Sequence, residues 1–155
     1  MNIYYYTTAI TVTFVTIFCI VYGAEEHIHL YPAQAPDEVP GAYGPETMTT
    51  GSDGVERIEN VTVPTITPYL VSNSTSRSAL IIAPGGGYKL LAWNIEGVLI
   101  AKKFNEFGMN CFVLKYRVPA RPPRSDKPKW WAPLQDAQRA VSWARSNSKK
   151  YNLNS

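Results

Sequence analysis

The stretch from Ala79 to Tyr116 most constrains what this chain can fold into. Ala79-Leu80-Ile81-Ile82-Ala83 is an all-apolar run of strand length, cut off by Pro84 and three successive glycines. Continuous apolarity in so short a run marks a strand covered on both faces. Beyond the glycines a helix is predicted over 96–107. Ile100, Phe104 and Phe107 share one stripe of it, with Lys102, Lys103, Asn105 and Glu106 outside the stripe and Gly108 as the stop. An amphipathic helix turns such a stripe to the core. Met109 to Tyr116 is a second apolar run. Strand, loop, helix and strand in that order make a βαβ unit, whose crossover pairs its strands in parallel.

The flanks divide the rest of the chain. Residues 1–22 hold no charged side chain, and Ala9 to Val21 is a nearly continuous run of apolar residues and threonine. Gly23 and Ala24 then precede Glu25-Glu26, which suits cleavage of a signal peptide after Gly23 or Ala24. An uncleaved signal anchor is the other reading, because the first six residues lack Lys and Arg and the apolar length approaches the ~17–25 residues of a span. Residues 1–24 are therefore assigned to targeting. Residues 25–54, with four prolines and four glycines after Tyr31, form an extended lead-in, and 55–155 form the α/β domain. Within it, Ile58 to Val71 alternates β-branched residues with Pro64 and Pro68, a pattern that predicts edge strands. A basic, proline-rich loop over 121–129 leads to a second helix from Pro133 to about Asn147, with Leu134, Ala137, Val141 and Ala144 at helical spacing.

Composition excludes some functions. A formal charge of +3 over 155 residues, with the basic residues scattered, gives no footprint for nucleic acid. Cleavage of the targeting segment would remove Cys19 and leave Cys111, in an apolar run, as a buried inert thiol. His27 and His29 would share one face of a strand, but with no cysteine and only Glu25 and Glu26 nearby they read as solvated polar residues, and no metal or cofactor is expected. Asp136 and Arg139 stand at i and i+3 on the second helix, as an ion pair or a polar tie to neighbouring loops. Asn60-Val61-Thr62 and Asn73-Ser74-Thr75 are acceptor sequons for a secreted chain, with Asn60 and Asn73 as the glycosylation candidates.

Three adjacent glycines free the backbone to aim N–H groups at a ligand oxygen. A nucleotide reading fails on detail. There is no Gly-x-x-x-x-Gly-Lys, Leu90 breaks Gly-x-Gly-x-x-Gly, and the helix starts several residues late. A plain glycine turn stays open.

Four blocks in order carry a resemblance over about residues 57–155: Pro84-Gly85-Gly86-Gly87-Tyr88, Glu96-Gly97, Phe112 to Val118, and Ala132 to Ala140. Together they resemble the α/β-hydrolase esterases, the acetylxylan and feruloyl esterase-like group and the related hormone-sensitive-lipase-like esterases. The resemblance implies the N-terminal part of an α/β-hydrolase fold, an incomplete, mostly parallel sheet flanked by helices. It makes Gly85, Gly86, Gly87 and Tyr88 the oxyanion-hole loop, with Gly86, Gly87 and Tyr88 as donors. It also implies a serine carboxylesterase acting on small-molecule or polysaccharide esters, secreted or, with the anchor retained, bound to a membrane.

That chemistry needs a serine in Gly-x-Ser-x-Gly, then an acid, then a histidine. The sequence holds no such serine and no histidine after His29, so no catalytic residue is assigned. The expectation is a chain that stops short of the nucleophile strand and is inactive alone; the rival is a non-catalytic binding protein on the same scaffold. Trp93, Trp130 and Trp131 flank the two loops expected at the carboxyl ends of the strands, where ligands sit in open α/β sheets. They line a substrate cleft for an aryl or sugar ester, or they pack the loops.

Overall fold

A computed structural model describes residues 26–154 other than 73, 75 and 129. The targeting segment 1–24 and the sequon Asn73 lie outside the described residues. Among those residues, no helix is long and apolar enough to cross a membrane.

The strands are β1 (Ile28–His29), β2 (Thr47–Thr50), β3 (Glu56–Glu59), β4 (Thr65–Tyr69), β5 (Ala79–Ile82), β6 (Leu91–Ala92) and β7 (Asn110–Lys115). The helices are a wide turn over Asn94–Val98 that runs into α1 (Leu99–Asn105), and α2 (Trp131–Ser146). The main sheet has the order β1-β4-β7-β5, and a smaller antiparallel sheet has the order β2-β3-β6. The expected parallel pair is β5 with β7, Ala79 opposite Asn110 through Ile82 opposite Val113. The sheet is mixed, because β4 pairs antiparallel with β7 and with β1. β4 is thus an inner strand and not an edge. Its proline is tolerated because β1 matches only Thr65 and Ile66, leaving Pro68 outside the two-sided stretch.

β7 is the centre of the core. Cys111, Phe112, Val113 and Leu114 are fully buried, and Phe112 meets Trp143 and Tyr151 edge-on at 5.7 and 5.1 Å. Burial raises the Cys111 thiol above its ordinary range, as expected of an inert packing residue.

Both helices turn a different face inward from the one their large apolar residues predict. On α1, Phe104 is 38% exposed and Phe107, just beyond it, 72%, while the residues against the sheet are Gly97 and Ala101. A Cβ on Gly97 would stand 3.0 Å from both Pro84 Cγ and Val113 Cγ1. The backbone approaches the sheet so closely that only small residues fit between them. On α2 the buried residues include Ala132, Asp136, Ala140 and Trp143, with Leu134 and Val141 left outside.

Asp136 is paired with Arg117, not with Arg139. Arg117 donates through Nε to both Asp136 carboxylate oxygens at 3.0–3.1 Å, through Nη2 to Gln135 Oε1 at 2.9 Å, and through Nη1 to the Pro36 carbonyl at 2.8 Å. Arg121 Nη2 meets Glu38 Oε2 at 2.7 Å, and Arg139 donates to the Leu30 carbonyl at 2.8 Å. Through these contacts the extended lead-in packs against the rest of the chain. Its Leu30, Ala35 and Glu38 are buried, and β1 and β2 extend the two sheets.

Candidate active site

β5 delivers the chain to Pro84, and the next four residues turn it sharply across the end of the sheet. Gly86 sits at φ 145°, where a Cβ would fall 2.0 Å from the Leu90 carbonyl oxygen, so no side chain fits there. Hydrogen bonds on its carbonyls hold the loop. Tyr116 Oη donates to the Pro84 carbonyl at 2.7 Å, the Ala92 N–H to Gly85 O at 2.9 Å, the Lys89 N–H to Gly86 O at 3.1 Å, and the Ala120 N–H to Tyr88 O at 2.7 Å. Burial, with the Glu96 carboxylate adding to it, pushes the Tyr116 phenol up to about 12, so it remains a donor over the whole neutral range.

The donors divide unequally. The Gly85 N–H is taken by Glu96 Oε2 at 2.9 Å, in keeping with a donor set of Gly86, Gly87 and Tyr88. The N–H groups of Gly86, Gly87 and Tyr88 have no acceptor among the described residues. They border a cavity of about 510 Å³ between the loop, Tyr116 and the start of α2. Unpaired backbone donors beside a cavity bind an anion or a carbonyl oxygen that is gaining charge. A second cavity, of about 480 Å³, lies among lead-in residues such as Tyr31 and Tyr43 and touches none of these donors.

Of the three candidate tryptophans the structure brings one to the site. Trp130 lines the cavity and stacks on Tyr88, with ring centroids 4.7 Å apart and planes 7° from parallel. Trp93 is buried beside His27, and Trp131 is buried with its indole N–H on the Pro122 carbonyl and its ring near Arg117. Neither reaches the cavity, because each is consumed in packing the loop it belongs to. His27 shares a 2.7 Å hydrogen bond with Thr67, and His29 lies in β1, at the opposite edge of the sheet from β5. Neither histidine lines the cavity beside the glycine loop.

A solved acetyl ester-xyloside bifunctional hydrolase from Caldicellulosiruptor lactoaceticus superimposes with a TM-score of 0.54 and 29% identity, over 84% of this chain and 39% of that one. The chain has part of the α/β-hydrolase fold. An α/β-hydrolase enzyme from a Medee basin deep-sea metagenome library matches at 28% identity and TM-score 0.48, over 71% of this chain and 42% of that one. In sequence, an endo-1,4-β-xylanase B from Butyrivibrio fibrisolvens is 36% identical over 91 residues, 59% of this chain and 14% of that protein. The chain thus spans well under half the length of each protein it resembles. No family model matches it. In an α/β hydrolase the glycine loop follows an inner strand and its N–H groups face the reacting ester.

Proposed function

We propose that this chain supplies the oxyanion half of a serine carboxylesterase site, for ester substrates that include acetyl or feruloyl esters of polysaccharides. The observation that carries the reading is the set of unpaired N–H groups at Gly86, Gly87 and Tyr88 beside the cavity. In ester cleavage a serine oxygen attacks the carbonyl carbon, and the carbonyl oxygen becomes the oxyanion that such donors hold, one donor being worth on the order of 3 kcal/mol. The solved bifunctional hydrolase, named for acetyl esters and xylosides, supports ester chemistry, and the xylanase supports a sugar-polymer setting.

Residues 1–155 hold no Gly-x-Ser-x-Gly. The nucleophile is proposed to arrive on a strand that adds to the side of β5 away from β7, which is its one strand partner among the described residues. Two features support this. All four β5 residues are half-buried, above a groove lined by Ala79, Ile81, Val141 and Ala144, and the Asn154 N–H bonds the Arg77 carbonyl at 2.8 Å, at the start of β5. A strand entering there and running parallel to β5 would end at the glycine loop. The second reading is a non-catalytic secreted or membrane-anchored binding protein on this scaffold. Secretion and a glycan at Asn60, whose amide here donates to the Pro45 carbonyl, belong to both readings.

The test uses p-nitrophenyl acetate and a serine-directed fluorophosphonate. Residues 25–155 should neither turn over the ester nor be labelled, whereas a chain carrying the reading frame onward from Ser155 into a Gly-x-Ser-x-Gly strand should do both. A stop codon confirmed after Ser155, or an extended chain that stays inert, would leave the binding reading standing.

A further inference from the structure

The lead-in cavity, about 480 Å³ and separate from the glycine loop, has an unmet hydrogen bond on its wall. Glu38 lines it, with its side chain only 3% exposed. One carboxylate oxygen is saturated: Oε2 accepts from Arg121 Nη2 at 2.7 Å and Nε at 3.1 Å, with Arg117 Nη1 at 3.5 Å. The other, Oε1, is buried and has no hydrogen-bond partner among the described residues. A buried acceptor left empty has lost its hydration with nothing in exchange, so it marks a place that accommodates a donor from outside. Charge is not what the place lacks. Arg117 and Arg121 balance Glu38 and Asp136, so Oε1 calls for a neutral donor and not for a further cation.

The rest of the lining narrows the donor. Pro32, Pro40 and the rings of Tyr31 and Tyr43 supply flat apolar surface, and both rings are held: Tyr31 Oη donates to Asp136 Oδ1 at 3.2 Å, and the Arg121 guanidinium lies 4.0 Å from the Tyr43 ring centroid. The polar members are His29, Thr62 and Gln34. The His29 and Thr62 side chains make no hydrogen bond among the described residues, and the Gln34 amide, whose nitrogen donates to the Glu38 carbonyl, keeps its oxygen uncommitted. Apolar surface beside several uncommitted polar groups suits a pyranose, which has a C–H face and a rim of hydroxyls that both donate and accept. A purely apolar group would leave those polar groups without partners. The cavity's place suits a polymer. β4 begins at Thr65 opposite Lys115, the last residue of β7, so Thr62 and the lead-in lie at the end of the sheet where the glycine loop also leaves β5.

We infer that the lead-in cavity is a binding site for a neutral pyranose residue, which donates a hydroxyl to Glu38 Oε1 and packs its ring on Tyr31 and Tyr43. The site stands apart from the ester chemistry and does not need it. Where the esterase reading holds, it gives a polysaccharide a second point of attachment, away from the bond that is cleaved.

The test is a titration of the nitrogen-labelled full chain, made without glycosylation, followed by NMR of its amides. The probes are xylotriose, cellotriose and butylammonium. At least one trisaccharide should bind with a dissociation constant on the order of 1 mM, shifting amides between Tyr31 and Tyr43 and leaving those of Gly86 and Gly87 in place. Butylammonium should shift nothing at the same concentration. His29→Leu and Gln34→Leu change two exposed side chains, so the double variant should melt as the parent does and bind the trisaccharide about tenfold more weakly. Failure of both trisaccharides to bind overturns the inference, an internal water then being the donor to Oε1. Shifts confined to the glycine loop, equal binding of butylammonium, or undiminished binding by the double variant overturn it as well. Trisaccharide binding by a chain whose extended form leaves p-nitrophenyl acetate intact would uphold this site and sink the esterase reading. Ester turnover without trisaccharide binding would do the reverse.

Discussion

β7 and β5 are neighbouring parallel strands of nearly identical character, and the structure treats them differently. Cys111 to Leu114 on β7 are fully buried between two strands, whereas Ala79 to Ile82 on β5 have one strand neighbour among the described residues and are all half-buried. Apolar composition records how much burial a strand was built for. Neighbours decide how much it receives, and the shortfall on β5 lies beside the glycine loop and next to the groove under α2.

Truncation of one residue on each strand gives the sharpest test of this difference. Phe112→Ala, which opens the cluster with Trp143 and Tyr151, should cost about 3–5 kcal/mol in urea unfolding, and Ile81→Ala only about 1–2 kcal/mol, because it is only partly buried. Equal losses would mean that the β5 edge is covered in solution and that the contrast between the strands is false.

β7 owes part of its burial to the close approach of the turn before α1. Gly97→Ala pushes a methyl to 3.0 Å from Val113 Cγ1 and Pro84 Cγ, and should cost roughly 1–3 kcal/mol by overpacking. The same substitution at Gly54, whose Cβ would meet nothing within 4 Å, controls for backbone entropy, although its positive φ adds strain of its own. A neutral Gly97→Ala would show that the helix can lift away from the sheet.

Much of this architecture is legible in the sequence, and the misses have physical causes. Short apolar runs bounded by proline and glycine locate β5, β7 and the glycine loop, since a strand must end where its backbone can no longer pair. The inward face of α1 is hidden from the pattern because large residues dominate it, while Gly97 and Ala101 set the approach distance. Arg117 is invisible as a structural centre because its partners Asp136 and Pro36 are remote in sequence and have no periodic relation to it. At the site, the run of glycines marks the loop whose unpaired N–H groups border the cavity. That Gly85 is claimed by Glu96, eleven residues on, depends on a turn no local pattern specifies.

The contact between β7's end and the loop after β5 should be visible in alkali. Tyr116 donates to the Pro84 carbonyl, and its phenol is raised from 10.0 to about 12 mainly by burial. The native state holds the proton more tightly than the unfolded chain, so this contribution is fully present below pH 10 and is lost as pH rises from 10 towards 12. Tyr116→Phe should cost about 1 kcal/mol at pH 7 for the lost hydrogen bond and flatten the alkaline fall in stability. The fall will not vanish, because Tyr31 is raised to about 12 as well, again chiefly by burial. An unchanged alkaline profile in Tyr116→Phe would detach the loop from β7.

The smallest expected effect on stability is at the free edge itself, where Ile82→Lys should change unfolding by only about 0.5–1 kcal/mol, because the aliphatic stem can still cover the strand while the ammonium reaches water. Its effect on association should be larger. An apolar edge without lysine or proline is a template for pairing with another chain, and residues 25–155 are expected to self-associate through it. Light scattering should show smaller particles for Ile82→Lys than for the parent at equal concentration. The matched change on β7, Val113→Lys, buries an unpaired charge and should prevent folding, so the same substitution improves behaviour on one strand and destroys the other. If Ile82→Lys instead left association untouched, the exposed apolar faces of α1 and α2 at Phe104, Phe107, Leu134 and Val141 would be the surfaces in contact, and the open strand would not be the element that seeks a partner.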